Sequence, residues 1–237
     1  MGRLIGICGK SGSGKTTALR NMPPNETVIV LPNLKTQLPF PGSKKNYTKY
    51  DKVAKTGNLI ITSELDHIAG IVKEINGVSN IKYLVIEDVT HYFNAETQGD
   101  KFRARKSGGE AFARWADFAA KVFNAFFKVN ELRDDLTIIL HFHPEENETL
   151  EGTKLNIKTP GKMLDRDIDI PSYFTYLFYT KVLEPSKDIK QEDRYKYVTN
   201  DDGIRPAKTP YGCFESLEMA NDLYEVIKKI DKYENGN

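Results

Sequence analysis

The sequence predicts an α/β layered sandwich, with a mainly parallel sheet covered by helices on both faces, and three observations lead there. Apolar runs of strand length recur at residues 4–8, 28–31, 59–62, 83–86 and 136–140. These runs are nearly continuous rather than alternating, as parallel strands buried on both faces require. Stretches of helical periodicity lie between them, so strand and helix alternate along the chain. At 237 residues the chain can bury a core of its own, and one domain over residues 1–237 is the expectation.

Taken in order, the first strand runs into a glycine-rich stretch, and a helix over 15–21 follows, closed by Pro23-Pro24. Residues 31–51 carry three prolines and the pair Lys44-Lys45, and read as an irregular excursion. A helix over 65–76 ends at Gly77, and the strand at 83–86 leads to two acids. Residues 99–109, GDKFRARKSGG, read as a basic loop. A helix over 109–132 then carries Phe112, Trp115, Phe118, Ala119, Val122, Phe123, Phe126 and Phe127 at helical spacing, most simply a core stripe. Residues 145–162 read as a second loop, acidic at its start and basic at its end. Strands at 173–183 and 195–199 and an amphipathic helix over 217–233 complete the chain. The fold class is therefore a three-layer sandwich with C-terminal strands and a terminal helix.

Composition excludes several classes. The 34 basic and 33 acidic residues argue against a histone-like or membrane-coating protein, though they permit a local basic groove. Cys8 and Cys213 form neither a staple framework nor a CxxC motif, which points to a reducing compartment. With no signal-peptide apolar segment after Met1 and only strand-sized apolar runs, the expectation is a soluble cytoplasmic protein with no membrane partner.

The strongest motif is GKSGSGKTT, residues 9–17. It fits the P-loop pattern GxxxxGK[ST] at Gly9, Gly14, Lys15 and Thr16, between a strand and a helix. With Gly at about 7% of residues, a chance match in a chain of this length has odds of about one in a hundred. Glycines at Gly9, Gly12 and Gly14 let a loop wrap a phosphate with its N–H groups inward. In that reading Lys15 reaches the β and γ phosphates of ATP and Thr16 offers a hydroxyl to Mg²⁺. Lys10, Ser11, Ser13 and Thr17 complete the cradle without an individual role.

YLVIED, residues 83–88, resembles a Walker B strand, with Glu87 and Asp88 as candidates for the magnesium shell and for polarising the attacking water. Their order is reversed from the common Asp-Glu, so which acid does which task stays open. In LTIILHFHPEE, residues 136–146, two histidines fall on one side of a strand. Without a third ligand they make a poor zinc site. His143 sits where a γ-phosphate sensor belongs, and His141 reads as an interior histidine.

With these residues assembled, the chain resembles the phage-encoded P-loop nucleotide-binding proteins, a RecA-like ATPase group that includes phage single-strand annealing and recombination ATPases. Besides the P-loop and the acids, the likeness rests on LPF (38–40), HPEE (143–146), KTPGKMLD (158–165) and TNDDGIRPAKTPYGCFE (199–215). It implies a RecA-like core and host-cytoplasmic location, with the nucleotide near a subunit boundary of a homo-oligomer. There a basic residue of a neighbouring copy completes the site, Lys208 and Arg205 being the candidates. It further implies two mobile loops that bind single-stranded DNA. Lys101, Phe102, Arg103, Arg105 and Lys106 fall in the first, and Lys154, Lys158 and Lys162 in the second. One departure matters: the strand at 28–31 is followed by Asn33, where RecA-type enzymes usually place a catalytic glutamate.

The resemblance implies an ATP-hydrolysing protein acting on single-stranded DNA in recombination, annealing or replication. Two alternatives compete. The RARK segment, residues 103–106, fits the Arg-rich lid of a nucleotide or small-molecule kinase, and the missing glutamate fits a nucleotide-switched interaction protein with little turnover.

Overall fold

A computed structural model describes residues 2–32, 37–105, 107–150 and 152–236. Its elements, in chain order, are β1 (Arg3–Cys8), β2 (Thr27–Leu31), α1 (Ser43–Asn46), β3 (Leu59–Ile61), α2 (Leu65–Asn76), β4 (Tyr83–Ile86), α3 (Val89–Gln98), α4 (Asp100–Ala104), α5 (Gly108–Phe126), β5 (Thr137–Phe142), β6 (Pro144–Thr149), β7 (Gly152–Ile157), α6 (Lys162–Asp167), β8 (Tyr176–Val182), β9 (Tyr195–Val198), β10 (Glu218–Ala220) and α7 (Leu223–Glu234). Eight strands form one sheet in the order β10-β9-β8-β1-β5-β4-β2-β3. The stretch from β8 to β3 is parallel throughout, and β9 and β10 extend it antiparallel. The hairpin β6-β7 stands apart from this sheet.

Alternation along each strand explains the continuous apolar runs. Leu4 and Cys8 of β1, Val28 and Val30 of β2, and Ile138, Leu140 and Phe142 of β5 face a core shared with α2, α3, α5 and α6. Ile5, Ile7, Ile29, Leu31 and Ile139 face the opposite core, shared with α7 and residues 18–22. Both sides of each strand are therefore covered, as the α/β expectation requires. Every such isoleucine or leucine, fully withdrawn from water, contributes roughly 1.5–3 kcal/mol before chain entropy is subtracted.

Several expectations need correction. The helix predicted over 15–21 is a 3₁₀ turn at Thr17–Asn21. Pro23 holds Met22 extended, and the short stretch left takes the tighter winding. Within the excursion at 31–51, the described residues Leu38, Phe40 and Tyr47 are buried and α1 forms at Ser43–Asn46. Residues 99–109 are largely helical, because Phe102 packs edge-on against Trp115 at 4.9 Å and Phe118 at 6.1 Å, drawing α4 onto α5. In place of the loop expected over 145–162, Pro144–Thr149 and Gly152–Ile157 pair as the β6-β7 hairpin and Lys162 opens α6, with Leu155 and Ile157 turned inward at spacing two.

The terminal helix begins later than predicted. Residues 218–220 pair with β9, and Asp222 accepts from the amides of Tyr224 and Glu225, capping α7. In α5 the buried face is narrower than the aromatic stripe: Phe112 is 64% exposed, and Phe123 lies at the flank against Tyr173. Asn33 and Lys106 lie outside the described residues. No described helix is long and apolar enough to cross a membrane.

Candidate functional site

The glycine-rich loop leaves the carboxyl end of β1, between β5 and β8. The chain departs from β1 toward β2 on one side and returns to β8 on the other, and crevices in open α/β sheets form at such a switch point. Tight packing dictates the loop's sequence. A Cβ on Gly9 would lie 1.8 Å from Thr180 Oγ1, so no side chain fits there. The Thr180 hydroxyl instead donates to Ser13 Oγ, and Ser13 Oγ donates to Lys10 O, each at 2.7 Å. Gly14 has φ +91°, a left-handed conformation that glycine adopts without steric cost. Lys15 is 6% exposed and folds its ammonium inside the loop, donating to the carbonyls of Gly9 and Lys10.

Beside the loop, β4 ends in the two acids, and the structure separates their environments. Glu87 is fully buried; its Oε2 accepts from Thr16 Oγ1 at 3.0 Å and its Oε1 from His141 Nδ1 at 2.9 Å. Asp88 sits left-handed at φ +59°, ψ +52°, a conformation that aspartate tolerates better than most residues at a cost of roughly 1–2 kcal/mol. Its Oδ1 lies 3.1 Å from His143 Nε2, and the backbone N–H of His143 donates to Thr90 Oγ1. Both Asp88 and His143 reach the cavity; Glu87 and His141 lie behind it.

That cavity measures about 870 Å³. Its lining includes Gly12, Gly14, Lys15, Thr16 and Thr17 of the loop together with Arg20, Asp88, His143, Tyr195 and Asn221. A smaller one, about 420 Å³, lies on the loop's opposite side, between residues 9–13, β8 and the hairpin. Lys10 bridges to Glu146 across that side, tying the hairpin to the loop. Burial pushes the Cys8 thiol, just before the loop, up to about 12, despite the neighbouring Lys15 charge that favours its thiolate.

The other predicted residues fall in different places. Arg205 lines the smaller cavity and pairs with Asp202 of its own chain at 2.7 Å. Burial alone would raise the Asp202 carboxyl, but the amides of Arg205 and Ile204 and the Arg205 guanidinium outweigh it and hold the group below the usual carboxylate range. Lys208 is bridged through its backbone to Leu177 of β8, and lines neither cavity. Lys101 and Arg103 are exposed on α4, and Arg105 pairs with Asp117. Phe102, expected to be available for base stacking, is instead part of the α4–α5 aromatic cluster, with the Arg114 guanidinium 4.7 Å from its ring centre. Lys154 lies on β7, Lys158 just beyond it and Lys162 at the start of α6, so the second basic group is spread over a hairpin and a helix rather than one loop.

Sequence reasoning missed Thr180, Thr90, Tyr195 and Asn221. The only local signal was Asn-Asp before an apolar run, a helix-start signature that places residue 221 at a helix entrance without showing what it faces. No family model matches the chain, and no curated protein matches it.

Proposed function

We propose that the chain binds ATP with Mg²⁺ along the larger cavity and hydrolyses it, working on single-stranded DNA in recombination, annealing or replication. One observation carries the nucleotide reading: the hydroxyl of Thr16, the last pattern residue of the glycine-rich loop, donates to Glu87 at the end of β4. A P-loop and a Walker B acid meet in this way when both serve one metal–phosphate group. The donor set fits that group. The buried Lys15 ammonium, the Thr16 hydroxyl and the Asp88 carboxylate supply the cationic and oxygen partners that a magnesium-bound polyphosphate takes.

Thr16, a residue of the cavity wall, would offer its hydroxyl to Mg²⁺, which when bound would draw charge from the phosphate oxygens. Lys15 exchanges its loop carbonyls for phosphate oxygens. Glu87, engaged by Thr16 and His141, positions the hydroxyl rather than meeting water. Asp88 reaches the cavity and is placed to take the proton as water attacks the terminal phosphorus and the bond to the bridging oxygen breaks. His143 holds Asp88 and follows the terminal phosphate. Strand β5, which carries His141 and runs into His143 at its carboxyl end, lies between β1 and β4, where the RecA-like reading puts its sensor strand.

The DNA reading draws support from the hairpin. It starts one residue after His143 and is joined to the loop by Lys10 and Glu146, so a partner that displaces the hairpin also acts on the loop. A kinase lid gains no such support, since neither Arg103 nor Arg105 lines either cavity.

The test is phosphate release from MgATP with and without poly-dT, for the wild type and Lys15→Ala. The expected result is a rate that poly-dT raises and that Lys15→Ala lowers by about 10²–10³. Wild-type turnover in Lys15→Ala would overturn the nucleotide reading. An unchanged rate with poly-dT would overturn the DNA part alone.

A further inference from the structure

Residues 44–55, KKNYTKYDKVAK, carry five lysines and one aspartate, a net charge of +4 in a chain whose total is +1. Lys44, Lys45, Lys49, Lys52 and Lys55 are all exposed, and none of them pairs with a carboxylate among the described residues. One such lysine is ordinary, but five this close repel one another. The fold nevertheless holds them together. The Tyr50 amide donates to Leu59 O at 2.8 Å and the Leu59 amide to Thr48 O at 2.9 Å, laying the segment along the start of β3. The Asp51 amide donates to Thr56 O, and its carboxylate accepts from the amides of Val53 and Ala54, closing a turn. A Cβ on Gly57 would lie 2.5 Å from Lys49 O, so the returning chain presses on the outgoing one. Lys55 stands left-handed at φ +52°, where asparagine or glycine sits at lower cost.

We propose that this turn binds the phosphate backbone of double-stranded DNA, without reading bases, at a site separate from the nucleotide cavity. Place separates the two sites. The turn leads into the amino end of β3, whereas the glycine-rich loop leaves the carboxyl end of β1 in the same parallel array, and none of the five lysines lines either cavity. Charge selects a polyanion. Ammonium groups that neutralise phosphates release counterions, and a duplex is densely charged, with one charge per roughly 1.7 Å of its axis. Ring placement disfavours a single strand. Surfaces for unpaired bases offer aromatic faces for stacking, but here Phe40 and Tyr47 pack edge-on at 6.0 Å inside the protein and Tyr50 is half-buried. Lysine is a compact charge on a flexible stem, suited to phosphates rather than to the fixed edges of bases. A lipid surface also fits poorly, because Val53 is the only large apolar side chain that the turn exposes and membrane docking needs a wider apolar face.

Fluorescence anisotropy on the full chain without nucleotide, over a salt series, with a short labelled DNA duplex and with poly-dT, tests this, alongside sedimentation with phosphatidylserine vesicles. The wild type is expected to bind the duplex. Replacing Lys49, Lys52 and Lys55 together with alanine should weaken duplex binding at low salt by at least about 10-fold and flatten its salt slope by about 3, at about 0.9 per contact, while poly-dT binding changes little. Lys55→Asn should weaken duplex binding on its own yet melt no lower than the wild type, which separates a lost contact from a lost fold. An unchanged duplex slope in the triple variant would overturn the site. Equal losses of duplex and poly-dT would overturn its assignment to double strands, and vesicle binding without duplex binding would give the turn to a membrane instead.

Discussion

Around the glycine-rich loop, polar groups are buried and hydrogen-bonded, Lys15 to loop carbonyls and Glu87 to Thr16 and His141, and Lys15, Glu87 and His141 are each no more than 6% exposed. In the two basic segments, α4 and the lysines from β7 to α6, charges stand mostly at the surface, and Arg105 meets an exposed partner. The contrast separates two kinds of inference. Burying charged groups costs several kcal/mol per ion and usually adds little stability in return, so such a network points to chemistry. An exposed lysine needs no explanation, and only a measured partner can give it one.

The largest expected effect lies at the buried network. Glu87→Ala leaves the Thr16 hydroxyl and the His141 N–H without their acceptor, and should lower unfolding free energy by about 3 kcal/mol in urea denaturation. A surface substitution in either basic segment that costs as much would break the contrast. Next comes Asp88→Asn, which keeps a side chain at ease in the left-handed conformation and removes the charge. On the proposed mechanism it lowers turnover by about 10² while stability stays within about 0.5 kcal/mol. A large stability loss would show that Asp88 serves the fold instead. Gly9→Ala should cost roughly 1–3 kcal/mol through the clash with Thr180, and thermal melting of Gly9→Ala beside the double variant with Thr180→Gly would show whether that contact is the cause.

Smaller effects belong to the surface. Replacing Lys154, Lys158 and Lys162 together with alanine should leave stability within about 0.5 kcal/mol. The salt slope of poly-dT binding should flatten by about 2, since each single-strand phosphate contact contributes about −0.7. An unchanged slope would place the DNA elsewhere. Smallest is the acid response of Asp202. Because its folded pKa is held below the usual value, its contribution is full above the unfolded pKa and is lost as pH falls through the folded one. With the side chain partly exposed, the contribution is under about 1 kcal/mol, and Asp202→Asn should flatten the stability profile across the acid range by that amount.

Legibility in the sequence followed how local each constraint is. The strands were readable because burial on both faces writes an unbroken apolar run, and the loop because glycine and lysine spacing is set within nine residues, Gly9 to Thr17. Helix 65–76 was legible to the residue, with Gly77 marking its end. The basic segments misled because lysine and glycine also occur where a hairpin or a packed aromatic draws the chain into regular structure. Phe102 looked like a surface ring, and Trp115 and Phe118, a full helix away, decided otherwise.

By itself, then, the sequence determined a layered α/β chain, a glycine-rich loop after the first strand and a pair of acids at a strand end, all consequences of interactions between near neighbours. Only the tertiary structure decided which acid is buried and which faces the cavity, and that the Asn221 carbonyl accepts from Arg20, 201 residues earlier in the chain. Sheet order brings those groups together through parallel crossovers, and a crossover leaves no trace in the spacing of the residues it joins.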